Sequence, residues 1–148
     1  MKTSIERFFS SPAYAVVGVS RTPRKFGSMV FREMKKRGFV VHPVTPHMEA
    51  LEGERCYASV SDLPEDVQSV VVVVHPEEAE RVVAACKAKG VRNIWLQQGA
   101  ESDKVIAYAQ ENGLNLIYGS CVLMFLEPVK SFHAFHRWIA KVAGRYPG

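Results

Sequence analysis

Short apolar runs rich in β-branched residues alternate along the chain with amphipathic segments that carry helix signals. The runs predict five strands, which are Ala13–Val19, Phe39–Val44, Val70–Val74, Asn93–Gln97 and Leu114–Tyr118. Apolar residues follow one another without polar interruption in the first run and in the consecutive valines of the third. Such continuity is typical of strands that are buried on both faces of a sheet.

Helix signals separate the strands, most clearly after Pro76, where acidic residues come first, basic residues last and Gly90 directly after. The signals predict a helix over Ser28–Arg37, a helix that opens after Pro76 with Glu77 and closes at Lys89, a helix that starts at Ser102 and ends at Asn112, and a terminal amphipathic helix over about residues 126–143. The expected inward positions of the first two helices are Met29, Val30, Met34, Val82, Val83 and Cys86. Residues 49–66 are expected to be irregular apart from one short helical turn.

Alternating strands and helices predict a parallel sheet that is covered on both faces, because parallel strands need crossover connections. We therefore expect an α/β fold, a single Rossmann-like, doubly wound domain over residues 1–148 with five parallel strands in the order 3-2-1-4-5. Ligands of such sheets bind outside the carboxyl ends of the strands, at the point where the strand order reverses. The loops that follow the strands are therefore the places to look for a site.

Length and composition are those of a globular domain. The chain has 148 residues, 47% of them hydrophobic and 23% charged, so a core without disulfide bonds is expected. No apolar run approaches the roughly 20 residues that span a bilayer, and the start lacks the apolar region of a secretory signal. Cys56, Cys86 and Cys121 are widely spaced and contain no C-x-x-C motif. We expect a cytoplasmic protein with reduced thiols and no membrane partner.

The net charge is +4, and the positive excess lies near the N-terminus. Eight basic residues fall between Arg7 and Arg37, whereas Glu33 is the single acid in that stretch. Such a field attracts an anionic partner. Nucleic acid is disfavoured because no aromatic residues interleave with a basic stripe, so a small phosphorylated ligand is the better candidate.

The loop after the first predicted strand, residues 18–27, combines several features that bind phosphate. Gly18 lets the backbone approach a ligand, Ser20 offers a hydroxyl, and the free amides at the start of the next helix form an anion site. The loop also carries three basic residues and no acid. The alternative is that these cations are ordinary solvated surface.

Two common nucleotide-binding motifs are missing from the sequence. The dinucleotide fingerprint G-x-G-x-x-G has Ser20 in place of its second glycine, and Val44–His47 supplies no acid for a ribose diol. The P-loop pattern G-x-x-x-x-G-K-[ST] does not occur. A nicotinamide cofactor and a P-loop nucleoside triphosphatase are therefore disfavoured.

A series of strand-end motifs resembles one family. The motifs are Val17-Gly18-Val19-Ser20, Gly27, His42-Pro43-Val44-Thr45-Pro46, Gly53 with Cys56-Tyr57, Ser61-Asp62-Leu63-Pro64, Val74-His75-Pro76, Ile94-Trp95-Leu96-Gln97-Gln98-Gly99 and Gly119-Ser120-Cys121. In this order, from about Phe8 to Cys121, they resemble the small stand-alone CoA-binding proteins, a family similar to the N-terminal CoA-binding domain of the succinyl-CoA synthetase α subunit. The family usually has Pro-Val-Asn-Pro at the second strand, where this chain has Thr45.

The resemblance implies that coenzyme A or an acyl-CoA is the ligand. Its diphosphate and 3′-phosphate carry about four negative charges, which suits an acid-free loop. The resemblance implies that the ligand lies against Gly18, Val19 and Ser20 and that its phosphates are bound by Arg24, Lys25, Gly27 and Ser28. It implies that the adenosine is bordered by Val44, Thr45 and Pro46, and that the opposite wall is formed by Val74, His75 and Pro76. It also implies that the pantetheine arm or its thiol end approaches Gln98 and Gly99.

Catalysis does not follow from the resemblance. The synthetase needs a second domain with a phosphorylated histidine, and 148 residues leave no room for it, so ligase activity is not expected. We expect a non-catalytic carrier, sensor or accessory protein of acyl-CoA metabolism. The alternative is an enzyme that uses CoA or a related adenine nucleotide, with Cys121 or His75 as the reactive group.

The terminal segment leaves two alternatives open. His133 and His136 lie one turn apart, and a surface pair is favoured over a metal site because no third ligand lies beside them. The apolar face of Phe132, Phe135 and Trp138 either packs across the sheet edge or is buried in a dimer partner. The chain is accordingly expected to be a monomer or a homodimer.

Overall fold

The computed structural model describes residues 3–20, 25–97 and 99–126. The strands in these ranges are β1 (Ala13–Val17), β2 (Val41–Val44), β3 (Ala50–Leu51), β4 (Glu54–Arg55), β5 (Val67–Val72), β6 (Asn93–Leu96) and β7 (Asn115–Ile117). The helices are α1 (Ser4–Phe8), α2 (Phe26–Lys36), α3 (Pro76–Lys89) and α4 (Asp103–Glu111), with 3₁₀ turns η1 (Val60–Asp62) and η2 (Val122–Phe125). None of the described helices is long and apolar enough to cross a membrane.

Five strands form one parallel sheet in the order β2-β1-β5-β6-β7. The predicted five-stranded parallel sheet of a Rossmann-like α/β fold is confirmed. In terms of the predicted strands the order is 2-1-3-4-5, so the third strand pairs with the first instead of lying beyond the second. The strand order still reverses beside β1, now between β1 and β5, and this is where such sheets bind ligands.

The connection between β2 and β5 explains this strand order. It contains an antiparallel hairpin of β3 and β4 instead of a crossover helix. The chain that leaves the hairpin runs along the edge of β2, where the Tyr57 N–H donates to the Pro43 carbonyl and the Thr45 N–H donates to the Tyr57 carbonyl, both at 2.9 Å. Because Tyr57 occupies this edge, β5 pairs with the free side of β1. The expected helical turn in this region is η1, whereas the hairpin was not predicted.

Helices cover both faces of the sheet and enclose two apolar clusters. One cluster packs α1, α2 and η2 around Trp95, Phe8 and Phe31, which are fully buried. The other packs α3, α4 and η1 against the opposite face. Val70 and Val71, neighbours in β5, belong to different clusters and are both fully buried. The predicted burial of this strand on both faces is therefore confirmed.

Helix α1 is missing from the sequence prediction, although a capping box marks its start. The Thr3 hydroxyl accepts from the Glu6 N–H at 3.1 Å, and the Glu6 carboxylate accepts from the Thr3 N–H at 3.4 Å. At only five residues, the helix is too short to show an apolar period.

The inward face of α2 also differs from the prediction. Phe31 is fully buried there with Val30 and Met34, whereas Met29 is 37% exposed. Val30, Phe31 and Met34 span an arc of about 100° on the helix, and Met29 lies outside that arc. The predicted terminal helix over about residues 126–143 lies outside the described residues.

Candidate ligand-binding groove

A groove with two adjoining lobes runs along the carboxyl ends of the parallel strands. The β2 lobe, about 370 Å³, lies between the ends of β1 and β2, residues 58–60 and one face of α3. The β6 lobe, about 520 Å³, lies between the start of α2 and the chain that follows β5 and β6. Gly18, Val74 and Glu78 line both lobes, so the two are continuous.

The meeting point of the lobes is built on a close contact between two glycines. Gly18 follows β1 with a φ of +107°, and a Cβ atom there would lie 2.0 Å from the carbonyl oxygen of Val73. A Cβ atom on Gly27, in the first turn of α2, would lie 2.3 Å from the carbonyl oxygen of Gly18. A side chain at either position would therefore force β1 away from its neighbours. The glycines allow the start of α2 to rest directly on the end of β1.

The start of α2 is the electropositive end of the groove. The first turn of α2 contains no acidic residue, and Lys25 at its N-cap makes no side-chain capping bond. Helix α3 also begins at the groove, but its first turn contains Glu77 and Glu78. Lys25, the free first-turn amides and the dipole of α2 therefore make this helix start the better anion site.

The β2 lobe combines an apolar wall with a few polar side chains. Thr45 is buried, and its hydroxyl accepts a hydrogen bond from the His47 N–H at 3.3 Å. Glu78 and Arg81 line the lobe from α3, one turn apart. Valine side chains from both strand ends, together with Val82, supply much of the remaining surface. A ligand in this lobe would meet apolar contacts, the Arg81 guanidinium, the Glu78 carboxylate and the polar side chains of Thr45, His47 and Ser59.

Gln97 closes the back of the β6 lobe. Gln97 is only 2% exposed. Its side-chain Oε1 accepts a hydrogen bond from the Val122 N–H at 2.8 Å, and its Nε2 donates one to the Cys121 Sγ at 3.5 Å. The indole N–H of Trp95 donates to the Ser120 carbonyl at 2.9 Å. These bonds hold the chain after β7 against the end of β6.

The three cysteines differ in access to solvent. Cys56 and Cys86 are buried, and burial raises the pKa of both thiols, that of Cys86 to about 12. Cys121 is partly exposed. Cys121 is therefore the accessible thiol, and it lies behind the β6 lobe through its contact with Gln97.

The groove brings together most of the site residues that the sequence predicts. Ten of them line it, namely Gly18, Val19, Lys25, Gly27, Val44, Thr45, Pro46, Val74, His75 and Gly99. Three others, Ser20, Ser28 and Pro76, do not line it. The Ser28 hydroxyl is hydrogen-bonded to the Ser20 backbone, and Pro76 is the first residue of α3. Arg24 and Gln98, like His133 and His136, lie outside the described residues.

Sequence reasoning missed the α3 side of the groove. Glu78, Arg81, Val82 and Ala85 occupy positions i, i+3, i+4 and i+7 of one helix face and all line the β2 lobe. The signal was available, since α3 follows a strand whose carboxyl end borders the predicted site. Ser59 also lines the lobe, but nothing in the sequence marks it, because the unpredicted hairpin brings it there.

A separate cavity of about 540 Å³ lies near the amino ends of β6 and β7. Its polar side chains are bonded to one another. The Asn115 amide donates to the Ser4 carbonyl at 2.9 Å and to the Asn93 Oδ1 at 3.0 Å, and Arg7 donates to the Asn115 Oδ1 at 3.4 Å. The groove is the better candidate site because ligands of parallel sheets bind at the carboxyl ends of the strands.

Comparison with known proteins identifies the family. The sequence model of the family described as "CoA binding domain" matches residues 12–127. The chain belongs to the CoA-binding domain family. The resemblance inferred from the strand-end motifs is thereby confirmed. The matched residues include every described element from β1 to η2, and so every strand and helix that lines the groove.

Relatives of this CoA-binding domain include parts of larger chains. The acetate–CoA ligase [ADP-forming] II subunit alpha of Pyrococcus furiosus is 28% identical over 129 residues, which are 80% of this chain and 28% of that subunit. The apo structure of the dinucleotide-forming acetyl-coenzyme A synthetase 1 of Ca. Korarchaeum cryptofilum aligns with a TM-score of 0.66 and 30% identity over 76% of this chain and 27% of that chain. The CoA-binding domain thus spans little more than a quarter of either relative.

Another solved structure is similar over nearly all of its own length. A conserved hypothetical protein from Pyrococcus furiosus aligns with a TM-score of 0.75 and 33% identity over 77% of this chain and 98% of that chain. The fold of the CoA-binding domain is therefore also found in a chain that contains little else.

Proposed function

We propose that this chain binds coenzyme A, free or as an acyl-CoA, in the groove, and that it is a non-catalytic carrier, sensor or accessory protein of acyl-CoA metabolism. The observation that carries the proposal is the convergence of the sequence-predicted residues on one groove of a CoA-binding domain. The names of the acetate–CoA ligase and acetyl-coenzyme A synthetase relatives support CoA as the ligand.

The electrostatics of the groove support a diphosphate at the start of α2. Coenzyme A is polyanionic near neutral pH, so it needs donors and cations where its diphosphate lies. The first-turn amides of α2 and the Lys25 ammonium meet that need, and no acid of α2 opposes them. In the proposal, Lys25 and the Gly27 backbone contact the diphosphate.

Each lobe suits one of the two parts of coenzyme A that its diphosphate joins, the adenosine and the pantetheine arm. The β2 lobe offers valine side chains and Pro46, which suit the flat apolar faces of adenine. The β6 lobe continues from the start of α2 towards Gly99 and Ala100, and offers room for the pantetheine arm. In the proposal, adenosine lies in the β2 lobe and the pantetheine arm in the β6 lobe.

The environment of the reactive-group candidates supports a non-catalytic role. An activated nucleophile needs a base within hydrogen-bonding reach. Within the described residues, the Cys121 thiol accepts a hydrogen bond from the Gln97 amide, which is not a base. His75 lies at the N-cap of α3, is exposed, and has no carboxylate partner among the described residues. Within the described residues, neither group therefore belongs to a hydrogen-bonded pair of nucleophile and base.

Ligand choice is tested by native mass spectrometry and isothermal titration calorimetry of the purified chain with CoA, NAD and ATP. We expect a CoA complex that dominates over the other two. A clear NAD complex without any CoA complex would contradict the proposal.

The phosphate assignment is tested by a matched pair of variants. Lys25→Gln and Lys36→Gln each remove one positive charge from α2 or its cap, but Lys36 is an exposed residue in the last turn. We expect Lys25→Gln to weaken CoA binding about tenfold, as loss of a charge-assisted hydrogen bond does. Lys36→Gln should bind CoA as the wild type does. Equal affinities for the two variants would remove Lys25 from the site.

A further inference from the structure

The cations of the groove are divided between its two lobes. Lys25 lines the β6 lobe and not the β2 lobe, whereas Arg81 lines the β2 lobe and not the β6 lobe. Glu78, which carries a carboxylate, lines both lobes. Among the described residues, the groove therefore presents one lysine or arginine on each side of the point where the lobes meet.

Within residues 3–20, 25–97 and 99–126, Arg81 differs from basic residues nearby in having no acidic partner. Lys89, on the same helix, pairs with Glu65 at 3.1 Å, and Lys104 pairs with Glu80 at 3.1 Å. No described carboxylate lies within 4.0 Å of the Arg81 guanidinium, although Glu78 is only one turn away. The full charge and the donors of Arg81 are thus available to a ligand in the β2 lobe.

Among the described residues that line the β2 lobe, Arg81 is the one lysine or arginine, beside the polar side chains of Thr45, His47 and Ser59. The Ser59 hydroxyl donates to Asp62 at 3.2 Å, and the Thr45 hydroxyl accepts from the His47 N–H at 3.3 Å. Of these side chains, only the Arg81 guanidinium combines a permanent charge with several donors. The remaining lining is mostly apolar. An anionic group that enters this lobe beside an apolar ring would therefore be bound chiefly by the guanidinium.

We propose that Arg81 binds the 3′-phosphate of coenzyme A, so that the groove distinguishes CoA from 3′-dephospho-CoA. This inference rests on the proposed function. Coenzyme A carries its diphosphate and its 3′-phosphate on opposite sides of one ribose, and the groove carries Lys25 and Arg81 in separate lobes. A planar guanidinium also matches the oxygens of a phosphate monoester, which can accept two parallel hydrogen bonds.

The test compares the dissociation constants of CoA and 3′-dephospho-CoA for four proteins by isothermal titration calorimetry. The proteins are the wild type, Arg81→Gln, Arg81→Lys and Arg92→Gln. Arg92 is a matched control because it is an exposed arginine that lines the separate cavity near the amino ends of β6 and β7. Circular dichroism and thermal unfolding establish that each variant is folded.

We expect the wild type to bind CoA about tenfold more tightly than 3′-dephospho-CoA. Arg81→Gln should lose most of this preference by weakening CoA binding alone, Arg81→Lys should keep part of it, and Arg92→Gln should keep all of it. Equal wild-type affinity for the two ligands, or an equal loss of both in Arg81→Gln, would overturn the role of Arg81 while leaving CoA binding intact. A wild type that binds neither ligand would instead overturn the proposed function, and this inference with it.

Discussion

The Ser28 hydroxyl donates a hydrogen bond to the backbone carbonyl of Ser20 and accepts one from the Ser20 N–H at 2.9 Å. Ser28 is 2% exposed, so the two bonds fix the end of β1 to the first turn of α2 out of contact with solvent. We expect Ser28→Ala to lower the free energy of unfolding by about 1–3 kcal/mol, because the two buried hydrogen bonds between Ser28 and the Ser20 backbone are lost. CoA affinity should fall about fivefold, since in the proposal the ligand contacts the start of α2, and the ligand must then supply the order that the Ser28 bonds provide.

The matched control for Ser28→Ala is Ser102→Ala. The Ser102 hydroxyl accepts from the Val105 N–H at 3.2 Å and caps α4, away from the groove. Loss of such a cap costs about 1 kcal/mol of stability. Chemical denaturation and calorimetry should therefore show that both variants are destabilised and that only Ser28→Ala binds CoA more weakly. An equal loss of affinity in both would show that the effect comes from general destabilisation.

The carboxylate of Glu78 should weaken the binding of a polyanion. Glu78 lines both lobes, and its charge lies on the path between Lys25 and Arg81. Repulsion between exposed charges is on the order of 1 kcal/mol and is screened by salt. We expect Glu78→Gln to tighten CoA binding about threefold at low ionic strength. This gain should shrink at about 0.5 M salt, because the Debye length there is only a few ångströms and the repulsion between the two charges is screened.

The control for Glu78→Gln is Glu77→Gln, which removes a charge from the same first turn of α3. Glu77 is exposed and does not line either lobe. Its substitution should change CoA affinity less than that of Glu78. Weaker binding in Glu78→Gln would contradict repulsion and would indicate that the carboxylate accepts a hydrogen bond from the ligand.

A Cys121 variant distinguishes the proposed CoA-binding protein from the alternative of an enzyme with a catalytic thiol. The thiol contacts Gln97 at the back of the β6 lobe and is the accessible cysteine of the chain. We expect Cys121→Ala to bind CoA as the wild type does, with neither protein turning over acetyl-CoA in a thiol-release assay. Wild-type turnover that disappears in Cys121→Ala would instead assign a catalytic thiol.

Cys86 should make the fold less stable at alkaline pH. Its burial raises the pKa from 9.0 to about 12, so between these values the unfolded chain loses a proton that the folded chain keeps. The unfolded state then binds fewer protons, and the free energy of unfolding falls as pH rises, by up to about 1.4 kcal/mol per pH unit. Below pH 9 the thiol is protonated in both states and its contribution to stability is fully present.

Urea denaturation at pH 8 and pH 10 measures this effect. Cys86→Ala should lose less stability between the two pH values than the wild type, although it starts about 1 kcal/mol lower because a buried atom is missing. Cys121→Ala serves as the control and should lose as much as the wild type. The same pH dependence in all three proteins would assign the alkaline loss to other groups.

Long, regular elements were predictable because their apolar positions repeat. The valines of β5 and the acid-to-base polarity of α3 led to the correct sheet and its covering helices. The hairpin was not predictable in this way, since β3 and β4 have two residues each and cannot show an alternation. The strand order depends on that hairpin, through Tyr57, and so could not be read from the pattern either.

The candidate site shows the same division. Residues that follow strands, such as Gly18 and Thr45, could be placed from the general rule for parallel sheets. The start of α3 could be placed beside the site by the same rule, but the position of Arg81 in the groove depends on which face of α3 turns towards β2, and the pattern does not show that face. The resemblance implies that Ser28 binds phosphate, but the sequence does not reveal that the Ser28 hydroxyl is hydrogen-bonded to the Ser20 backbone.

The contact between Gly18 and Gly27 has a consequence for redesign of the groove. Neither position has room for a side chain, so the point where β1 and α2 touch is closed to substitution. Ser59 and Arg81, by contrast, line the groove from exposed positions. A mutant library aimed at altered ligand preference should therefore randomise the hairpin exit and the α3 face, where new side chains can be installed without disturbing the contact between the glycines.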